Sequence, residues 1–412
     1  MLTLLILSLC ASLHSAEMLT WDACVKEVGV NNLDIKTARE NLSAYKYRRK
    51  ALWSGFMPTV SGDLSAGRGN TNTSTTADST TYSASLLASQ NIFSGFQTVG
   101  KLQEAEANIE LQEADYNFVR AQVSFDLQNA FSQVLYAQDY ITLSEATIKR
   151  RQENLNIVQL RFEGGMENKG SYLMSKAYLA DAEYDLEQAK RLLETSRQQL
   201  AAVLGRKALD ADVQVTGDMP LAVPEKKINL EAIVEQIPAH QSAKAQIKAY
   251  KADLRVARSG FYPSFDITGS TTKQGNAWPL PNNSWSLTAG LSIPLFNGGS
   301  DFYSTYSAAS LLSSSEFSLQ QTDLDLFYEL RAVYNAFLDS IKKVGVYVAY
   351  VEAATARAKI ARSKYNTGLL QFENWDIIEN DLISKEKTHI QTLRDRRIAE
   401  AAWLKAQGKG VL

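Results

Sequence analysis

From Val123 onward, an apolar or small residue returns at alternating steps of four and three. The series is Val123, Leu127, Ala130, Val134, Ala137, Ile141, Ser144, Ile148, Leu155, Val158 and Phe162, interrupted by Arg151. The same phase recurs from Leu326 through Leu330, Val333, Phe337, Ser340, Val344, Tyr347, Val351, Ala354, Ala358 and Ala361 to Tyr365. A third run joins Leu179, Ala182, Leu186, Ala189, Leu193, Ser196, Leu200 and Val203. A sustained seven-residue repeat puts such positions on the seam of a coiled coil. Many are Ala or Ser, which lets neighbouring helices approach closely. The pattern predicts helices over about 98–163, 171–204 and about 301–364, and a looser one over 374–407. A helix of ~65 residues is on the order of 100 Å long at 1.5 Å per residue, more than a globular domain needs.

A second pattern has period two and predicts strand pairs over about 56–95 and about 261–296. Val60, Gly62, Leu64 and Ala66 alternate with Thr59, Ser61, Asp63 and Ser65. Trp285, Leu287, Ala289, Leu291 and Ile293 alternate with Ser286, Thr288, Gly290 and Ser292. A sandwich would bury the apolar face inside. A membrane barrel would turn Trp285, Leu287 and Leu291 toward lipid. The loops Gly67–Thr80 and Thr271–Ser284 are long and polar. Phe56, Phe93, Phe261, Tyr262 and Phe296 mark the opposite strand ends, with Tyr82 and Trp285 near the loops, a distribution like interfacial girdles. Four strands cannot close a membrane barrel, since the smallest have about eight. Unpaired edges are not tolerated in lipid. A barrel would therefore have to be shared among several copies.

The chain is also a tandem repeat with an offset of about 203 residues. NIFSGF (Asn91–Phe96) falls on PLFNGG (Pro294–Gly299), and RFEGG (Arg161–Gly165) falls on KYNTG (Lys364–Gly368). SGFMP (Ser54–Pro58) matches SGFYP (Ser259–Pro263). The boundaries read as a first repeat over 17–210, a linker over 211–227 and a second repeat over 228–412. Each repeat orders its parts as helix, strand, polar loop, strand, long helix, turn and helix, with single leading helices over Glu17–Leu52 and Ile228–Arg258. At the strand–helix joints, Gly55, Gly95, Gly260 and Gly298 supply backbone freedom, and Pro58 and Pro263 stop the incoming helix. Gly165 and Gly368 suit the turns at the far ends of the long helices, where Ser171 and Asn374 are placed to act as N-caps.

Composition narrows the classes further. Across 412 residues the formal charge is −2, which does not point to nucleic acid. Residues 1–16 read as a secretory leader with an apolar core over Leu2–Leu9; Cys10 there is a weaker lipidation candidate. Two cysteines and three histidines make neither a disulfide framework nor a metal or catalytic constellation, so neither an enzyme nor a cofactor or metal site is expected. A secreted or periplasmic coiled-coil scaffold or adhesin is the alternative to a membrane channel.

The doubled SGF-x-P phrase, NIFSGF, LSIPLFNGG, and the turns RFEGGMENKGSYL and KYNTGLLQFENWDII resemble the TolC-like outer membrane efflux protein family over nearly the whole chain after the leader. The resemblance implies an α+β membrane protein. It would be a homotrimer sharing a twelve-stranded transmembrane β-barrel, four strands per protomer. Long antiparallel coiled-coil helices would form a periplasmic α-barrel with an equatorial belt near 211–227. It implies a passive exit duct for efflux or type I secretion. Its partners would be a periplasmic membrane-fusion adaptor, an inner-membrane transporter of RND, ABC or MFS type, and outer membrane lipids. The periplasmic entrance and adaptor-facing tips would then lie at Phe162, Gly165, Ser171, Tyr365, Gly368, Glu373, Asn374 and Asp376. Where many members carry Asp after the turn, this chain has Ser171 and Asn374, so Glu373, Asp376 and Glu379 are the acids left to charge the entrance.

Overall fold

A computed structural model describes residues 17–69, 79–207, 213–221, 223–224 and 228–412. The leader 1–16 with Cys10 and His14, residues 70–78 of the first polar loop and parts of the 211–227 linker lie outside the described residues. The elements in order are β1 (Glu17–Leu19), α1 (Trp21–Asn31), α2 (Leu33–Leu52), β2 (Thr59–Gly69), β3 (Ser79–Ser94), α3 (Gln97–Glu163) and α4 (Lys169–Leu204). Then come β4 (Val213–Val215), α5 (Leu230–Val234), α6 (Pro238–Arg258), β5 (Ser264–Gly275), β6 (Asn282–Ser292), α7 (Ser300–Asn366) and α8 (Phe372–Ala406).

Both long helices have 67 residues, and their ends are offset by the same 203 positions as the sequence repeat. The leading helices differ from expectation, for each is divided. Asn32 ends α1 and restarts the chain: its Oδ1 accepts from the N–H groups of Asp34 (2.9 Å) and Ile35 (3.1 Å), while its Nδ2 donates to the Val203 carbonyl at 2.9 Å. Pro238 opens α6, where its missing N–H costs nothing, but it could not have continued α5. A parallel pairing of β1 with β4 is a further element that periodicity did not reveal.

The chain divides into two compact units. One comprises Ala38–Tyr116 and Pro238–Asp325 and carries an antiparallel sheet in the order β2-β3-β5-β6. The register places Val60, Gly62 and Leu64 opposite Ala88, Leu86 and Ala84, which in turn face Gly269, Thr271 and Lys273. Those residues pair with Leu287, Trp285 and Asn283 on β6. Apart from Thr271, Lys273 and Asn283 in its loop-side rows, this face is apolar across all four strands and solvent-facing in the isolated chain, with Leu64 80%, Leu287 71% and Trp285 78% exposed. The other face is mostly hydroxyl-bearing. Ser65 bonds Ser83 and Ser270 bonds Ser286, each at 2.8 Å, and Asn91 donates to Asp266 at 2.6 Å. A register shift between Asn91 and Phe93 marks the end of β3 that leads into α3.

Each SGF-x-P phrase is a short 3-10 turn closed by one backbone bond, Met57 N–H to Ser54 O (2.9 Å) and Tyr262 N–H to Ser259 O (3.0 Å). Gly55 and Gly260 serve here by allowing close approach rather than unusual dihedrals. A Cβ on Gly55 would lie 2.9 Å from Thr98 Cγ2, and one on Gly260 would lie 2.5 Å from Asp301 Oδ1. The left-handed conformation falls instead on Gly95 (φ 61°) and Gly298 (φ 63°), between strand and long helix.

The other unit comprises the residues up to Thr37, Asn117–Ile237 and Leu326–Leu412. It holds most of the heptad seam: Val123, Leu127, Ala130, Val134, Ala137, Ser144 and Val158 of α3 are buried. Leu326, Leu330, Phe337, Ala354, Ala358, Ala361 and Tyr365 are their counterparts on α7. Among the described residues no helix is long and apolar enough to cross a membrane.

Gly95 and Gly298 separate two costs. Alanine at either meets the left-handed penalty of about 1–2 kcal/mol. A Cβ on Gly95 would also stand 2.7 Å from the Ser259 carbonyl oxygen and 2.8 Å from Tyr262 Cβ, whereas one on Gly298 meets nothing within 4 Å. Thermal unfolding in detergent is expected to show Gly95→Ala losing clearly more stability than Gly298→Ala.

Candidate functional site

The turns between the long helices and their returning partners are built twice on one plan. Gly165 (φ 69°) donates to Phe162 O at 3.0 Å while Met166 N–H reaches Arg161 O at 2.8 Å. Gly368 (φ 75°) donates to Tyr365 O at 3.0 Å while Leu369 N–H reaches Lys364 O at 2.8 Å. Both are Schellman caps, in which glycine takes the left-handed residue and two terminal carbonyls are satisfied. Beside each cap lies a stacked aromatic pair. Phe162 stacks on Tyr172 with centroids 5.5 Å apart, and Tyr365 on Trp375 at 4.2 Å.

Ser171 and Asn374 do not cap their helices. α4 begins two residues before Ser171, and Asn168 is its N-cap, its Oδ1 accepting from the Ser171 N–H at 2.9 Å. α8 begins at Phe372 after Gln371, which leaves Asn374 exposed in the first turn. Ser171 itself is 4% exposed.

The two hairpins are joined through Tyr365. Its carbonyl, at the negative end of α7, accepts from Arg161 Nη1 at 2.7 Å, and the guanidinium lies 4.7 Å from the centre of the Tyr365 ring. Its hydroxyl donates to Glu167 Oε2 at 2.9 Å, in the α3–α4 turn. Burial, then the Glu167 carboxylate, hold the phenol well above its usual range, so the hydroxyl remains a donor at any physiological pH. Val158, Ala361, Tyr365, Phe372 and Trp375 form one buried cluster under these contacts.

Further along, Arg151 leaves the apolar seam for a reason. It donates through Nη2 to Asn380 Oδ1, stands 3.8 Å from Asp376 Oδ1 and lies over the Tyr178 ring at 4.6 Å. Tyr178 donates to Asp376 Oδ2 at 2.7 Å. Burial lowers the Arg151 pKa, and Asp376 and Glu379 oppose that shift. Arg150–Glu386 (2.6 Å) and Lys387–Asp185 (2.5 Å) extend the ionic ties between the hairpins. Of the three acids expected to charge an entrance, two are engaged or buried in the chain. Asp376 is committed to Tyr178 and Arg151, Glu379 is only 3% exposed, and Glu373 alone of the three is an exposed acid. The periodic reading missed Arg161, Glu167, Tyr172 and Trp375. Tyr172 and Trp375 occupy equivalent positions of the repeat, which was the available signal.

Two coiled-coil hairpins tied at their turns, with a four-stranded sheet that bears an exposed apolar face, are the features of a membrane-anchored export protein. The sequence model of outer membrane efflux proteins matches residues 25–206 and 230–409. The chain belongs to the outer membrane efflux protein family and is an outer membrane protein. It is 23% identical over 409 residues to the toluene efflux pump outer membrane protein TtgC of Pseudomonas putida, covering 92% of this chain and 81% of TtgC. It is 21% identical over 371 residues to the alkaline protease secretion protein AprF of Pseudomonas aeruginosa, covering 88% and 74%. The crystal structure of CusC superposes with a TM-score of 0.85 at 16% identity, covering 94% of this chain and 92% of that one.

Two substitutions grade the ties. Tyr365→Phe keeps the stack on Trp375 and removes one bond to a half-exposed carboxylate, an expected loss of about 1 kcal/mol. Arg151→Met leaves Asp376 and Glu379 without their buried cation, an expected loss of about 3 kcal/mol or more. Denaturant unfolding of the helical signal measures both, with Arg151→Met the more damaging.

Proposed function

We propose that the chain works as a homotrimer whose three sheets close one twelve-stranded barrel, forming the outer-membrane exit duct of a tripartite efflux or type I secretion system. The observation that carries this reading is the continuous apolar face from β2 to β6, on a sheet whose outer strands each have an unpaired edge. In hydrocarbon an open edge would strand its backbone donors and acceptors. Joining β6 of one copy to β2 of the next removes every edge. A second support is the uneven exposure of the long helices. Large apolar residues stay exposed along α7 (Phe302, Tyr306, Phe317, Leu324, Tyr328 and Ile360), while α3 exposes only Phe118 and Leu160 among the described residues. The α7 surface is the one left for neighbouring copies.

The duct is passive, and energy enters through an inner-membrane transporter. The periplasmic adaptor docks on the turns, where Leu160, Met166, Leu369 and Ile377 are exposed beside the Schellman caps. Tyr365, Arg161 and Glu167 hold the two hairpins together in the resting entrance, and opening requires these bonds to exchange for water. TtgC is a toluene efflux pump protein and AprF an alkaline protease secretion protein, so the family accommodates both kinds of traffic.

Replacing both Leu287 and Leu291 by Asp is expected to abolish membrane insertion, read as loss of the detergent-extracted oligomer that resists heat. Normal insertion of this variant would sink the lipid-facing assignment. Cysteines at the exposed Met166 and Asn374 are expected to crosslink to a neighbouring copy or to the adaptor and to stop export in cells. Full export with complete crosslinking would remove the tips from the gate.

A further inference from the structure

The apolar sheet face is not uniform. A groove of about 430 Å³ runs over it, lined by Gly62, Leu64, Ala84, Leu86, Thr271 and Lys273, with Asp63 and Ser85, which alternate to the other face, completing the lining. The register explains the depression: Gly62 faces Leu86 and Ala84 faces Leu64, so small residues alternate with large ones along two adjacent strands. Lys273 closes one end. It pairs with Ala84 on one side and Asn283 on the other, and all three share the apolar face. Trp285 sits on the next row toward the middle of the sheet, paired with Thr271. Arg68 lies on the same face nearer the loops, two alternations beyond Leu64.

Position decides what Lys273 can meet. From Phe265 to Lys273 the strand advances by eight residues, about 26 Å along its own direction at ~3.3 Å per residue, or about 20 Å of height at the 35–45° tilt of barrel strands. That nearly spans the apolar band of an outer-membrane barrel, about 25 Å tall. Lys273 therefore stands at the band's loop-side rim, one row beyond an interfacial tryptophan. The strand ends opposite the loops join the helices, so this rim faces the outer leaflet. A lysine directed at lipid is tolerated at such a rim when its ammonium meets an anionic headgroup. Asn283 beside it offers an amide donor and acceptor to sugar hydroxyls.

The geometry points to a binding site for a phosphorylated glycolipid of the outer leaflet. One acyl chain lies in the groove over Gly62 and Ala84, a phosphate meets Lys273, and the sugar reaches Asn283. This assignment rests on the sheet being part of a membrane barrel, as proposed above.

The test uses the full-length protein in mild detergent. Heat-resistant oligomer on a denaturing gel is scored first, because its absence from the unsubstituted protein would overturn the barrel reading itself. Binding is then measured by native mass spectrometry with bis-phosphorylated lipid A, its dephosphorylated form and phosphatidylglycerol. Bis-phosphorylated lipid A is expected to bind tightest. Lys273→Gln should weaken it about fivefold, the effect of one basic residue near an anionic headgroup. Lys273→Arg should retain binding. Gly62→Leu, whose Cβ would lie 3.3 Å from Leu86 Cδ2, should weaken all acylated probes while leaving the phosphate preference. With oligomer intact, equal binding by Lys273→Gln, or phosphatidylglycerol binding as tightly as lipid A, would overturn the site.

Discussion

A polypeptide inside a bilayer has no water to satisfy its backbone, so every N–H and C=O there must find a partner in protein. The sheet of this chain meets that demand internally along β3 and β5 and leaves it open at the outer edges of β2 and β6. The trimeric barrel proposed above would close those two edges. The same demand calls for a joint at which each helix can become a strand without exposing an unpaired amide. SGF-x-P supplies it: one 3-10 bond closes the helix, and proline, which has no N–H to leave unsatisfied, begins the extended run.

Repetition governs the rest of the design, and the differences between the copies mark where the molecule does more than stand. The Schellman glycines 165 and 368, the joint glycines 95 and 298, and the aromatic pairs Phe162–Tyr172 and Tyr365–Trp375 occupy equivalent places. At the helix-end position of the pair, Phe162 in the first copy is replaced by Tyr365 in the second, and the Tyr365 hydroxyl bonds to the first copy's Glu167. The two hairpins thus share a scaffold but have unequal polar decoration, and the polar difference is what ties one to the other.

The fold was legible because its periods are long. Four-three spacing over some sixty residues and alternation over ten specify helices and strands, and the 203-residue offset aligns them. What escaped were decisions made by single contacts. Arg151 reads as an error in the seam until its partners Asp376 and Asn380, on another helix, are seen. Asn32 reads as one more polar helical residue, yet it divides a helix because Val203 lies within reach of its amide. Helix starts moved by two residues for a similar reason: Asn168 and Ser171 are both competent caps, and the backbone chose the earlier. Gly55 and Gly260 read in the sequence as sources of dihedral freedom, whereas the physical need at both is space beside Thr98 and Asp301.

The hydroxyl face of the sheet has a kinetic consequence. Ser65, Ser83, Ser270 and Ser286 already satisfy one another in pairs, and Asp266 is engaged by Asn91. In the barrel proposed above, a molecule moving along this wall would be offered groups that trade one weak bond for another and few strong anchors. The energy profile would be shallow and dwell times short, and cargo of very different size would pass with similar friction. A duct walled in this way would leave the choice of cargo to whatever loads it.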